Sequence, residues 1–583
     1  MASTQQYYLG IDVGTGSARA CLVKQDGEIV ASFSRDTKTF RDPSDHRIFE
    51  QSTADIWSNI AAIVKDILTT SKVPPSEIKG IGFDATCSLA VTDEAGEPVT
   101  ITRGEHLGEH GERNIVLWCD HRAEAETELI NESGSKVLDY VGGKMSLEME
   151  VPKVLWLKNH MPAARFAPCQ FFDLPDFLTF RATNDTARST CSLACKCSYV
   201  PSAEGWQTDF FEKIGLGELP ARGYKQIGEA LGRRVLTAGQ PVGHGLSKTA
   251  AEELGLLEGT PVGSGLIDAY AGWLGTVGAR FKENGKLSDA IPSAEESCHR
   301  LAAVAGTSTC HLIQSPKGVF VPGVWGPYKD AVFCDRWMNE GGQSSTGQLI
   351  DFIITTHPAY PQLFKLGQEK KKDVHSILQD ILEDLRDKAQ VESFTELTKD
   401  LHFYPDFHGN RSPIADARMR GAITGLELNA GLDDLARKYF AALESIALQT
   451  RHIIDALNTS GHDVRAIYMS GGQARNASLM RLFANACARP VVLPGDHEHS
   501  VVRGAAMLGR FAAEAAASQS DLDASAQQEM LWRVMVEMTP IGTQIIPDAS
   551  TKEQKLLEAK YKIFLESIDI QKRWRQEMAL AAQ

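Results

Sequence analysis

A chain of 583 residues is long enough for two large domains and a sizeable core. Its 43% hydrophobic and 23% charged content suits a soluble globular protein, and a net charge of −15 argues against a general binder of nucleic acid or acidic membrane. No apolar run reaches the roughly 18 residues of a membrane span, the opening MASTQQ lacks the plan of a signal or transit peptide, and eleven irregularly spaced cysteines point to reduced thiols in the cytoplasm.

Tyr7 to Val13 is an apolar run of strand length that delivers Asp12 to its end. Gly14-Thr15-Gly16-Ser17 turns the chain into a second strand, Arg19 to Lys24, and Asp26-Gly27 signals a hairpin into a third, Glu28 to Phe33. Such a corner gathers backbone N–H groups and hydroxyls around one concavity, which suits a phosphate, and an adjacent aspartate suits Mg²⁺ held through water. The same residues would also serve as an ordinary hairpin. Neither a Walker A loop nor a Rossmann fingerprint is present, because no G-x-x-x-x-G-K-[ST] occurs and a strand follows the glycines.

Ser52 to Ser71 reads as an amphipathic helix capped by Ser52, with Ile56, Ile60, Ile63 and Ile67 along one face. Gly80 to Ala85 is a buried strand ending in Thr86-Cys87-Ser88, and Ile115 to Cys119 ends in Asp120-His121-Arg122. Strand, helix and strand with polar residues at the strand ends predict an α/β domain with its site at the sheet edge. Cys191, Cys195 and Cys197 lack zinc-ligand spacing and read as small buried residues around Lys196. Asp268 is the sole acid in an apolar Gly/Ala-rich stretch, where it can cap a helix and still face a cleft.

Residues 281 to 300 look like a polar surface insertion. Leu301 to Ile313 then repeats the opening plan around Gly306-Thr307-Ser308-Thr309, which suggests duplicated, facing lobes. Trp337 to Phe352 reads as a Gly-rich loop entering a helix. Leu401 to Gly425 reads as a loop whose Arg411, Arg418 and Arg420 form a solvated, ion-paired surface. Ala466 to Met469 is a short strand ending in Ser470-Gly471-Gly472-Gln473, where a planar ring or phosphate can rest on backbone before Asn476 opens a helix. Beyond about residue 510 the pattern is helical and peripheral.

The motifs D-V-G-T-G-S at 12–17, G-L-I-D-A-Y-A-G at 265–272, A-G-T-S at 305–308 and S-G-G-Q-A-R-N at 470–476 together resemble the FGGY carbohydrate kinases. T-C-S-L at 86–89, W-C-D-H-R-A at 118–123, T-C-S-L-A-C-K-C-S-Y at 190–199 and H-G-N-R-S-P at 408–413 draw the likeness towards the ribulokinases, the D-ribulokinase branch above all. Glu150, three positions before Lys153, departs from the short family signature, which usually has a small residue or proline there.

The resemblance implies two actin-like ATPase (ribonuclease H-like) α/β domains flanking a central cleft. The expected boundaries are 1–275 for the sugar-binding lobe, 276–300 for a linker, 301–510 for the nucleotide lobe and 511–583 for a helical extension. It implies ATP and Mg²⁺ as cofactors and a ketopentose acceptor, D-ribulose first; L-ribulose, xylulose, ribitol or an ATPase without a sugar remain alternatives. Asp268 would be the general base, and Asp12 with Asp268 would hold the metal. Thr15, Gly16, Ser17, Gly306, Thr307 and Ser308 would grip phosphates, while Gly471, Gly472 and Asn476 would wall the adenosine. Ser88, Asp120, Arg122, Lys196 and Glu340 would contact the sugar. A sugar is thus the expected partner, with no nucleic acid or membrane, and a homodimer is compatible with the chain.

Overall fold

The computed structural model describes residues 5–203, 205–228, 235–283, 286–287, 291–518 and 522–583. The first four residues, and 284–285 and 288–290 of the expected polar insertion, lie outside the described residues.

Strands β1 (Tyr7–Val13), β2 (Ser17–Lys24) and β3 (Ile29–Asp36) form an antiparallel meander in which Asp12 and Arg19 are register partners. Gly27 takes a φ of 87° at the second turn, and a Cβ there would lie 1.9 Å from the Met538 carbonyl oxygen, so the hairpin tip requires glycine. Helix α1 (Thr53–Ser71) starts where the sequence places it, with Ser52 Oγ accepting the Asp55 N–H at 3.3 Å and the four isoleucines buried. Strand β4 (Ile78–Ala85) pairs parallel to β1, and after helix α2 (Thr190–Lys196) the short β5 (Leu266–Ile267) pairs parallel to β4. The sheet order is β5-β4-β1-β2-β3.

Helix α3 (Asp268–Val277) leads from this sheet to the next. There β6 (Arg300–Ala305), β7 (Thr309–Ser315), β8 (Trp325–Lys329) and β9 (Trp337–Gln343) are joined by antiparallel pairings. Helices α4 (Gly347–Thr356) and α5 (Leu432–Ser460) precede β10 (Ala466–Ser470), which pairs parallel to β6. After α6 (Ala477–Cys487), β11 (Val491–Leu493) lies parallel to β10. The order β9-β7-β6-β10-β11 repeats β3-β2-β1-β4-β5, so the duplication suggested by the two Gly/Thr/Ser corners is present in the topology.

Helix α7 (Ser500–Ala517) crosses back onto the first sheet. A Cβ added at Gly10, Gly80 or Gly82 would lie 2.0, 1.9 and 1.9 Å from the carbonyl oxygens of Val502, Gly509 and Ala505, so strand and helix backbones touch. The position taken as a boundary, 510, therefore falls inside a helix that packs on the first lobe. Helices α8 (Ala524–Met538) and α9 (Thr551–Ala581) follow, but the tail is not wholly helical: β12 (Thr543–Ile545) pairs antiparallel to β11 and extends the second sheet.

Two other stretches differ from the sequence reading. Trp337 to Phe352 is a strand followed by a helix rather than a loop, because β9 is hydrogen-bonded along its whole length to β7 despite its glycines. The Leu401 to Gly425 segment is closed at its base by the paired strands His402–Tyr404 and Ala422–Thr424. No helix among the described residues is long and apolar enough to cross a membrane.

Candidate active site

Parallel register brings Asp12 and Asp84 side by side at the C-terminal ends of β1 and β4, and Leu266, two residues before Asp268, pairs with Asp84. Three carboxyl groups therefore collect at one sheet edge. Asp268 is not the cap of α3, as local pattern suggested, but its first residue; its Oδ1 accepts the Ala269 N–H at 2.7 Å. Burial, then the nearby Asp12 charge, raises the Asp268 pKa to about 7, with the Ala269 N–H opposing. Asp268 is half-buried, so solvent contact would temper the cost of its charge.

Asp12 is also raised, by burial, against the pull of Arg19, whose Nη1 lies 3.7 Å from Asp12 Oδ2. Asp84 is raised well above the ordinary carboxyl value, first by burial and then by Asp12 and Asp268. Asp84 is fully buried and its carboxyl is paired with that of Asp12, so the two acids share a site that favours a neutralising cation. Among the described residues no three His, Cys, Asp or Glu side chains converge to hold a metal by themselves. The donor set instead fits an Mg²⁺ bound through water and substrate phosphates, the habit of that ion.

The first corner opens beside these acids. Gly14 N–H donates to the Ser17 carbonyl at 2.9 Å, and Thr15 Oγ1 accepts the Trp118 indole N–H at 3.0 Å. In the second lobe, Gly306 N–H donates to the Ser308 carbonyl at 2.9 Å, while Gln473 Nε2 holds the Gly306 carbonyl at 2.6 Å. Thr15, Gly16, Gly306 and Thr307 are exposed, and a Cβ at Gly16, Gly306 or Gly472 would meet nothing within 4 Å. Gly471 has the opposite reason for being glycine: its φ is 88° and a Cβ would lie 2.3 Å from the Ala305 carbonyl oxygen, which pins this turn to the end of β6. Asn476 caps α6, accepting the Leu479 N–H at 3.1 Å and donating to Tyr439 Oη at 2.8 Å. Helix α3 joins the two halves, with Gly272 packed on Val304 of β6, so Asp268 stands where the sheets meet.

Residues 7–275 match the N-terminal domain, and 301–513 the C-terminal domain, of the FGGY family of carbohydrate kinases. The chain belongs to that family. It is 45% identical over 525 residues to a D-ribulokinase of Saccharomyces cerevisiae, covering 87% of this chain and 72% of the relative. An FGGY carbohydrate kinase domain-containing protein of Homo sapiens is 41% identical, covering 98% of this chain and 97% of the relative. Among solved structures, a xylulose kinase from Rhodospirillum rubrum superposes with a TM-score of 0.72 at 20% identity, covering 98% of this chain and 99% of that one, which speaks for the fold. The protein is therefore an ATP-dependent sugar kinase with the actin-like ATPase architecture.

In this kinase, Lys196 on α2 and Glu340 on β9 meet from opposite lobes, Nζ to Oε2 at 3.4 Å, with both side chains almost wholly buried. Burial works against the Lys196 charge, but Glu340 together with Cys87 and Tyr328 outweighs it and the pKa stands well above the usual lysine value. Arg411 completes the group, contrary to its reading as solvated surface. Its Nη2 donates to Glu340 Oε1 at 2.7 Å and its side chain is only 8% exposed, whereas Arg418 in the same segment is 77% exposed. Lys196 Nζ and Arg411 Cζ lie 4.3 and 4.2 Å from the centroid of the Trp325 ring.

The remaining candidates also make contacts within the protein. Asp120 accepts the Phe49 N–H at 2.7 Å and pairs with Arg122 at 2.7 Å, and Arg122 also reaches Glu50 at 3.0 Å and the Ile101 carbonyl at 2.8 Å. Ser88 Oγ accepts the Trp118 N–H at 3.2 Å and lies 3.1 Å from Thr86 Oγ1. Sequence reasoning missed Asp84 and Arg411; D-A-T at 84–86, parallel to D-V-G-T at 12–15, was the available signal for the first.

Proposed function

We propose that this kinase phosphorylates a ketopentose, D-ribulose before other pentuloses, giving D-ribulose 5-phosphate. The observation that carries the proposal is the buried Lys196–Glu340–Arg411 group beside Asp268. An ATPase that discharged phosphate to water would have no use for so much buried polar recognition, and rejecting a sugar isomer depends on polar partners it leaves unsatisfied. The name of the yeast relative supports the choice of D-ribulose.

In the transfer, a sugar hydroxyl oxygen bonds to the γ-phosphorus, the bond to the β,γ-bridging oxygen breaks, and ADP leaves with that electron pair. The hydroxyl proton passes to Asp268. The two glycine corners hold the phosphates in line from either lobe, and Gly471-Gly472 forms a flat wall for the base. Asp12 and Asp84 would hold Mg²⁺ through water, where the ion supplies charge neutralisation for the phosphates. Free thiols throughout the chain support residence in a reducing compartment such as the cytosol.

The deciding experiment is an ADP-release screen over pentuloses, pentitols, hexuloses and glycerol, with stereoisomers paired. The highest kcat/KM is expected for D-ribulose. ATP hydrolysis that no sugar stimulates would sink the proposal, and a clear preference for another pentulose would reassign the acceptor.

A further inference from the structure

Glu340 gives one carboxylate oxygen to each of two cations, and the two contacts differ. Oε1 is held by Arg411 at 2.7 Å, a short charge-assisted bond, while Oε2 lies 3.4 Å from Lys196, a longer and weaker one. The weak side is the one a sugar hydroxyl can enter; the strong side fixes the carboxylate's rotation. Arg411 Nη2 is also 3.6 Å from Glu148 of the first lobe, so the guanidinium spans the cleft while gripping Glu340.

The local sequence makes room for this grip. Glu340 and Gly342 are two apart on β9 and share a face. A Cβ at Gly342 would lie 2.8 Å from Arg411 Cδ, 2.9 Å from Nε and 3.0 Å from Cζ, so the bare position is the groove along which the arginine runs. The ring of Trp325, 4.2 Å from Cζ, limits where the guanidinium can go.

We propose that Arg411 is a positioning residue for the sugar: it locks Glu340 with Oε2 turned to Lys196, and glycine at 342 is what lets it do so. This rests on the ketose-kinase reading above. A lysine could restore the charge but not the planar group that lies against Trp325, so the role belongs to the guanidinium.

The test measures sugar KM, ATP KM and kcat for Arg411→Met, Arg411→Lys, Gly342→Ala and the exposed control Arg418→Met. Both Arg411 variants are expected to raise the sugar KM by about tenfold or more while the ATP KM stays within about threefold. Gly342→Ala keeps every charge and should move the sugar KM in the same direction; Arg418→Met should move neither. Equal rises in both KM values, or a normal sugar KM in Arg411→Lys, would overturn the positioning role. Should Arg411→Met not fold, Gly342→Ala decides, and a normal sugar KM there overturns the proposal. A wild-type enzyme that turns over no sugar overturns the ketose reading and this proposal together, whereas sugar turnover with unmoved variants overturns only the role of Arg411.

Discussion

Replacing Asp268 with asparagine removes a proton acceptor and little else. The amide oxygen can still accept the Ala269 N–H, held at 2.7 Å by the carboxylate, so the start of α3 and its packing on β6 should persist. Losing a general base typically costs ~10²–10⁴-fold, or about 3–5 kcal/mol of transition-state stabilisation. The wild-type pKa of about 7 supplies a second signature. Only the ionised carboxylate accepts a proton, so about one enzyme in eleven is competent one pH unit below that value and about ten in eleven one unit above. Wild-type kcat/KM for the sugar should therefore climb about tenfold between roughly pH 6 and pH 8 and then flatten, while the residual activity of Asp268→Asn should lack that climb. The assay is coupled ADP release at saturating ATP across that range, with nucleotide affinity followed by equilibrium titration and expected within a few-fold of wild type. Residual turnover within about tenfold of wild type would refute the assignment of Asp268 as base.

Lys196→Met leaves Glu340 on Arg411 alone and should raise the sugar KM about tenfold or more with little change for ATP; equal effects on the two would make Lys196 structural. Asp84→Asn should stabilise the ligand-free protein. A carboxyl whose pKa is raised from 3.8 by folding contributes stability below that value and loses it as pH rises towards the folded pKa. The Tm gain of the variant should accordingly be larger near about pH 8 than near about pH 5, and a gain independent of pH would refute this account.

Local pattern revealed what local chemistry decides. The Asp12 strand, both glycine-hydroxyl corners and the capped helix α1 each rest on residues a few positions apart. Asp84 escaped because a single acid in the apolar run Gly80 to Ala85 looks like strand interior; only its parallel register with Asp12 and with Leu266, two residues before Asp268, gives it two acidic neighbours. Arg411 escaped because Arg-rich, Gly/Pro-punctuated segments are usually wet, and its burial depends on Glu340, 71 residues away. Gly342, which accommodates Arg411, and its neighbour Gly341 also disguised β9 as a loop, since glycine lowers strand propensity without forbidding a ladder whose partner supplies the hydrogen bonds. Asp120 and Arg122 also have a long-range partner that the sequence hides: Glu50, more than seventy residues earlier than Arg122, joins their buried ion pair.

The seating of α7 on Gly10, Gly80 and Gly82 has a consequence for how the molecule is made. Strands β1 and β4 leave the ribosome early, yet the helix that covers one of their faces is encoded near the other end of the chain. At about 5–20 residues per second, that face waits on the order of tens of seconds for its cover. During that interval the nascent first lobe is an uncovered apolar sheet, a natural client for a chaperone, and messages truncated before residue 500 should yield insoluble product rather than a half-kinase.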